Sequence, residues 1–462
     1  MKKSPLFQLI DAFSPIELRE AGKFLRSPFF NTRRDLVMLF EYLSKNEDPT
    51  KARAWSAVMG KQVPFDDQKC RLLLSYLHKL LEQFVVIKET QKEDLENRLR
   101  LVRYYRKRGL AKASAKGNRN LEQAIQKQSL RDASYHKVNY EFLLEQNIAA
   151  TSHDPTSTAF RSQMEKTLDS YYLSIRLRLL CLSIAQRGVY QTGEDIEVDQ
   201  QVISFAEREE WEAVPAVATY LFCYRMLSRP EDELHFQRFK NYLFQLSYEF
   251  ATDEMRGFYL MAINYCVRRL NEGATRFLKE VFDLYRSGIE SGYLLEDGAL
   301  SLFTYHNVVA VGLKTGELDW VSQFIHEQKN ALERRYRDSA FSFNLARLEY
   351  ARRNFGSVLE LLQKANYRDP LVNLAAKTLL LKTYYELAEY DLLQSHLDAM
   401  RNYVRRKRVI GYHQRNILNI VRFTEKLMGA DVLGKSSRVK LRSAIEQEEE
   451  LTEKEWLLDC LG

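Results

Sequence analysis

Along most of this chain apolar residues return every three or four positions, the period of a helix that buries one face. Leu36, Leu39, Phe40 and Leu43 make one such stripe, and Leu72, Leu73, Tyr76, Leu77, Leu80, Leu81 and Phe84 make a longer one. Ser14-Pro15-Ile16-Glu17 reads as a capping box opening a helix over about Pro15 to Arg26. In such a box the Ser hydroxyl accepts from a free backbone N–H, the Glu carboxylate accepts from the Ser N–H, and proline sits where no hydrogen bond is lost. The stretch Thr151–Thr158 is polar and contains Pro155, which predicts a loop or linker. No alternating pattern is long enough for a sheet, and no proline interrupts the chain between Pro230 and Pro370. The expected fold class is therefore all-α.

The stripes and breaks suggest five regions: an N-terminal helical region at 1–97, a basic helical segment at 98–150, irregular helical pairs at 159–301, a periodic region at 302–408, and C-terminal capping helices with an acidic tail at 409–462. In the periodic region the turn residues Leu318, Phe355 and Tyr390 are 37 and 35 residues apart. The helices before these turns carry Tyr305, Val308 and Val309, then Leu345 and Ala346, then Leu380, Leu381 and Tyr384. Those after them carry Val321 and Ile325, then Val358, Leu362 and Ala365, then Leu393, Leu397 and Met400. This stretch resembles the tetratricopeptide-like helical repeats, whose period is about 34 residues. It departs from them at Val309, Val321, Leu381 and Leu393, where small residues usually let paired helices approach; only Ala346 and Ala365 keep them. The resemblance implies stacked helical hairpins, a TPR-like α-solenoid, because one hairpin cannot bury its own apolar face. It also implies a concave groove lined by first helices, with His306, Lys314, Arg347, Tyr350, Lys382 and Tyr385 on it. Arg and Lys donate to carboxylates and Tyr offers flat contact area, so a protein or peptide partner, an acidic one included, suits such a groove. The chain as a whole looks bacterial in type, a likeness that implies no particular activity.

Composition sharpens the helical reading. With 18 Gly and 9 Pro in 462 residues, breakers are scarce. The hydrophobic fraction of 45% excludes disorder. Cys70, Cys181, Cys223, Cys266 and Cys460 are scattered, which reads as reduced thiols in an intracellular protein. The short apolar run after Met1-Lys2-Lys3 is cut by Asp11, and no window approaches a membrane span. A cytoplasmic protein without membrane contact is expected.

Charge is uneven. The net charge is +7, yet residues 98–137 hold twelve basic side chains against Glu122 and Asp132 alone. Within them Arg100, Arg103 and Lys107 share one helical face. A second cluster comprises Arg401, Arg405, Arg406, Lys407, Arg408 and Arg415, with no acid from 401 to 415. These two clusters support an alternative function, a nucleic-acid-binding regulator. The C-terminus is the opposite: Glu446, Glu448, Glu449, Glu450, Glu453, Glu455 and Asp459 surround one Lys454. It could fold onto a basic face, and Thr452-Glu453-Lys454-Glu455 reads as a second capping box before Trp456, Leu457 and Leu458.

Catalytic chemistry is missing from the pattern. The eight histidines are scattered, with no metal-ligating pair on one helical face and no nucleophile elbow. Gly429–Ser436 does match Gly-x4-Gly-Lys-Ser, but a phosphate-binding loop needs a strand before it, and Ile417–Met428 reads as a helix. No catalytic residue, metal or cofactor is expected. The sequence-level expectation is a non-catalytic scaffold or adaptor.

Overall fold

The computed structural model describes residues 3–190, 200–245, 249–363, 370–406, 412–429 and 435–462. Among these the protein is all-α; the only β feature is an isolated antiparallel bridge between Glu296 and Ala299. The chain divides into two compact units, Met1–Ile175 and Arg176–Gly462.

The first unit begins with five helices, α1 (Pro5–Ala12), α2 (Pro15–Arg26), α3 (Arg34–Lys45), α4 (Lys51–Met59) and α5 (Asp67–Lys92). The Ser14 capping box forms as expected: the Glu17 N–H donates to Ser14 Oγ at 3.3 Å and the Ser14 N–H to a Glu17 carboxylate oxygen at 2.9 Å. Leu36, Leu39, Phe40 and Leu43 join Leu73, Leu77, Leu81 and Phe84 in one core. Leu72 and Tyr76, assigned to the same stripe, are exposed; Tyr76 lies under the Arg33 guanidinium at 5.0 Å. Next come α6 (Asp94–Lys107), α7 (Ala111–Lys127), α8 (Ala133–His153) and the residues up to Ile175 of α9 (Arg161–Tyr190), whose remainder belongs to the second unit. Thr151, Ser152 and His153 belong to helix α8 rather than to a loop; the hydroxyls of Thr151 and Ser152, poor helix formers, donate back to the carbonyls of Asn147 and Ile148. The turn is confined to the residues after Asp154.

The second unit contains α10 (Gln200–Ala206), α11 (Pro215–Ser228), α12 (Glu233–Gln245), α13 (Thr252–Asn271), α14 (Phe277–Glu290), α15 (Leu302–Lys314) and α16 (Leu318–Glu327). They are followed by α17 (Arg337–Ala351), α18 (Phe355–Gln363), α19 (Pro370–Glu386), α20 (Tyr390–Arg406), α21 (Tyr412–Met428), α22 (Lys435–Gln447) and α23 (Lys454–Asp459). From α11 to α21 each helix packs on the next, and α11 also meets α13, α15 meets α17, and α17 meets α19. This is the packing of helix pairs laid side by side, as a helical repeat requires.

One turn recurs. Gly273, Gly316, Arg353 and Ala388 each adopt a left-handed conformation, with φ of 91°, 78°, 60° and 55°. In each case the N–H of the following residue reaches a carbonyl five residues back: Ala274 to Arg269, Glu317 to Gly312, Asn354 to Glu349 and Glu389 to Tyr384, all at 2.9–3.0 Å. This is the Schellman ending of a helix, which satisfies carbonyls left open at the last turn. The α6–α7 hairpin in the first unit ends the same way at Gly109, where Leu110 bonds to Tyr105. The spacing read from Leu318, Phe355 and Tyr390 is thus the spacing of a repeated backbone turn. In place of a small residue at position 321, helix α15 supplies one: a Cβ on Gly312 would stand 2.4 Å from Val321 Cγ2.

Candidate partner-binding cavity

Helices α15, α17 and α19, each the first of its hairpin, contribute residues to one cavity of about 730 Å³. His306, Lys314, Arg347, Tyr350 and Lys382 all line it. Register explains part of this: His306 is two residues from the buried Val308 and Arg347 stands between the buried Ala346 and Leu348, while Tyr350, four residues from Ala346, also packs against that core. Tyr385, expected beside them, lies outside the cavity; its ring meets Trp456 edge-on with centroids 5.5 Å apart.

Arg347 donates from Nη1 to the His306 carbonyl at 3.2 Å and to Asn344 Oδ1 at 3.3 Å. Asn344 is held in turn by the Ala340 carbonyl and donates to His306 Nδ1 at 2.8 Å. Burial pulls the Arg347 pKa down to about 10 against the opposing influence of Glu453, so the guanidinium remains protonated at neutral pH. Lys382 is the second cation. Its ammonium lies 4.7 Å from the Tyr350 ring, 5.6 Å from the Trp456 ring, and 2.8 Å from a Glu453 carboxylate oxygen. Burial and the nearby Glu386 carboxylate hold the Tyr350 hydroxyl well above its ordinary pKa, so it acts as a donor, to Glu386 at 3.2 Å.

The C-terminal segment completes the wall. Thr452 and Glu453 line the cavity together with Asn416 and Ile417 of α21. Thr452 is not the N-cap its sequence suggested. Helix α23 begins at Lys454, the cap position is Glu453 in a left-handed conformation (φ 55°, ψ 33°), and no side chain caps it. Lys382 holds the Glu453 side chain elsewhere. Trp456 and Leu457 are buried, with Trp456 Nε1 donating to Glu386 at 3.1 Å. The acidic segment therefore folds onto basic groups of its own chain: Arg415 pairs with Glu450 at 2.9 Å, Arg422 with Glu448 at 2.7 Å, and Arg442 with Glu446 at 3.3 Å.

No family model, no curated protein and no solved structure matches this chain. The chemistry of its surfaces must be read from the residues themselves.

The basic clusters look different in the fold. Arg100 faces Glu93 at 3.1 Å and Glu96 at 3.3 Å. Arg103 faces Glu141 at 3.0 Å and Glu145 at 3.1 Å, and Arg106 shares Glu145 at 2.7 Å. Of the expected face, Lys107 alone is exposed with no ion pair among the described residues. Arg401 pairs with Asp398 and Glu425, while Arg405 is exposed. Lys407 and Arg408, and the side chain of Arg406, lie outside the described residues. In the phosphate-loop lookalike, Ile417–Met428 is part of helix α21 and residues 430–434 lie outside the description. Among the described residues, no helix is long and apolar enough to cross a membrane, and no cluster of His, Cys, Asp or Glu is arranged around a metal position.

Proposed function

We propose that this chain is a tetratricopeptide-like helical-repeat adaptor, without catalytic activity of its own, that holds a segment of another protein in the cavity lined by α15, α17 and α19. The observation that carries the proposal is the convergence of His306, Lys314, Arg347, Tyr350 and Lys382, spread over 77 residues of sequence, on that one space. A site of this size and mixed lining is of the kind that takes a ligand, with aliphatic stems and rings supplying area and a few fixed polar groups supplying orientation. The solenoid and the cytoplasmic location belong to the same proposal; the scattered thiols and the stacked hairpins support them.

The nucleic-acid alternative draws less support. Phosphate binding needs cations open to solvent, and Arg100 and Arg103 already face carboxylates on their own and neighbouring helices.

The test is selection of a displayed peptide library on the full chain, followed by binding to an Ala375→Trp variant. Ala375 is exposed and lines the cavity, so the indole fills the space without entering the core. Selected peptides should lose binding to Ala375→Trp. If no peptide distinguishes the variant from the wild type, the groove reading is wrong.

A further inference from the structure

Three features of the cavity remain unexplained by a simple groove. The first is the charge of its wall: Lys314, Arg347 and Lys382 stand against the single carboxylate of Glu453. The second is Arg347, whose hydrogen-bond partners, the His306 carbonyl and Asn344 Oδ1, are neutral; Glu453 acts on it only from a distance, and among the described residues no carboxylate lies within ion-pair distance of it. A half-buried guanidinium gains from an anion that completes it, and a planar carboxylate is its best geometric match. The third is Glu453, which reaches the cavity from the far end of the chain, in a backbone conformation that side-chain-bearing residues rarely adopt. That turn leads into α23 and places the Glu453 carboxylate within reach of Lys382.

We infer that Glu453 is a tethered competitor: the partner segment carries a carboxylate that pairs with Arg347 and takes Lys382 from Glu453. The inference rests on the groove reading proposed above. Its geometry is economical. The Tyr350 and Trp456 rings, 4.7 and 5.6 Å away, hold the Lys382 ammonium independently of the Glu453 hydrogen bond. Trp456 and Leu457 anchor helix α23 in the core that α19, α20, α21 and α22 share. Release therefore needs only the Glu453 side chain to turn outward, and its carboxylate is already partly in solvent, with a side-chain exposure of 39% against 13% for Lys382. A partner with one acidic side chain meets resistance from Glu453. A partner with several, or with a carboxylate and an apolar neighbour for the Leu371, Leu374 and Leu379 wall, overcomes it. The segment thus sets a threshold for entry.

The experiment titrates a fluorescein-labelled hexaglutamate peptide, with labelled hexaglutamine as control, into the full chain and follows anisotropy at physiological salt. Glu453→Gln should bind hexaglutamate about fivefold more tightly than wild type, the size of one partly exposed ion pair. Arg347→Gln should weaken binding about tenfold or more, and Arg347→Lys should recover part of it; the lysine variant guards against loss of fold. If Glu453→Gln is no tighter while Ala375→Trp abolishes binding, the competitor is overturned and the groove survives. If hexaglutamate binds Ala375→Trp as well as wild type, it bypasses the cavity and overturns this inference. If no variant binds hexaglutamate above hexaglutamine, the carboxylate preference is overturned, and the peptide library alone then decides the groove.

Discussion

The Lys382 ammonium and the Glu453 carboxylate meet at 2.8 Å across 71 residues of sequence. That contact ties helix α19 to the segment that precedes α23, and it places the chain's own acid in the space where a ligand would sit. The energetic weight of the pair decides whether it is a structural rivet or a gate. Partly solvated ion pairs contribute little, about 0.2–1 kcal/mol, because water competes for both charges. A double-mutant cycle of Lys382→Ala and Glu453→Ala in urea unfolding should give a coupling of about 0.5–1 kcal/mol. A coupling of several kcal/mol would make the contact a permanent part of the fold.

Anchoring of α23 falls instead to Trp456 and Leu457. Trp456→Ala should cost about 3–5 kcal/mol, since it empties a buried site and leaves Glu386 with one donor fewer. Trp456→Phe keeps most of the packing and should cost markedly less. Chemical denaturation of the full chain separates the two; equal costs would mean that the hydrogen bond to Glu386, not the packing, holds the helix.

Two glycines in the second unit should respond to alanine with opposite signs. At Gly312 the added methyl would meet Val321 at 2.4 Å and Phe282 at 3.3 Å, so Gly312→Ala forces α15 and α16 apart and should cost about 1–3 kcal/mol. Gly257, inside α13, has no heavy atom within 4 Å of such a methyl. Gly257→Ala should raise stability by about 0.5–1 kcal/mol through helix propensity alone. Thermal melts of both variants, read as shifts of opposite direction, check the pair.

The recurring hairpin turn makes a further comparison. Ala388 is held at φ 55° and Gly316 at φ 78°, at equivalent positions. Ala388→Gly should stabilise by about 1 kcal/mol, and Gly316→Ala should destabilise by a similar amount. Identical shifts for the two would mean that the turns are not equivalent.

In the first unit, His136 on α8 is buried, its Nε2 has no hydrogen-bond partner among the described residues, and burial together with Arg131 lowers its pKa to about 4. The unfolded chain binds the proton near pH 6.5 and the folded one does not, so stability is full above about pH 6.5 and falls as pH drops toward about 4. The loss should approach about 2–3 kcal/mol over that window. Hydrogen exchange of α8 amides at pH 7 and pH 5 should show it, and His136→Phe should flatten it. An unchanged slope in that variant would assign the acid sensitivity to other groups.

Much of the helical layout was legible in advance because it depends on near neighbours. The Ser14 cap needs only Glu17, three residues away, and the stripe through Leu36, Leu39, Phe40 and Leu43 needs only the helical period. The turns at Gly316, Arg353 and Ala388 were visible through their spacing, although their shared left-handed backbone was not. Thr452 misled for the complementary reason. Its local pattern fits a cap, but Glu453 turns left-handed and the helix starts only at Lys454, which puts Thr452 and Glu455 out of register for a box.

What the sequence by itself determined was the helical class, the hairpin period in the C-terminal half and the helix faces on which His306, Lys314, Arg347, Tyr350 and Lys382 stand. These follow from periodicity and propensity, which act over a few residues. Only the tertiary structure decided which charges are open and which are answered. Arg103 looked available until Glu141 and Glu145 were brought to it, and Arg415 until Glu450 was. A charge acts through space over several ångströms, whereas a sequence records distance only along the chain. For the same reason the acidic C-terminus, remote from α19 in number, became part of the cavity wall.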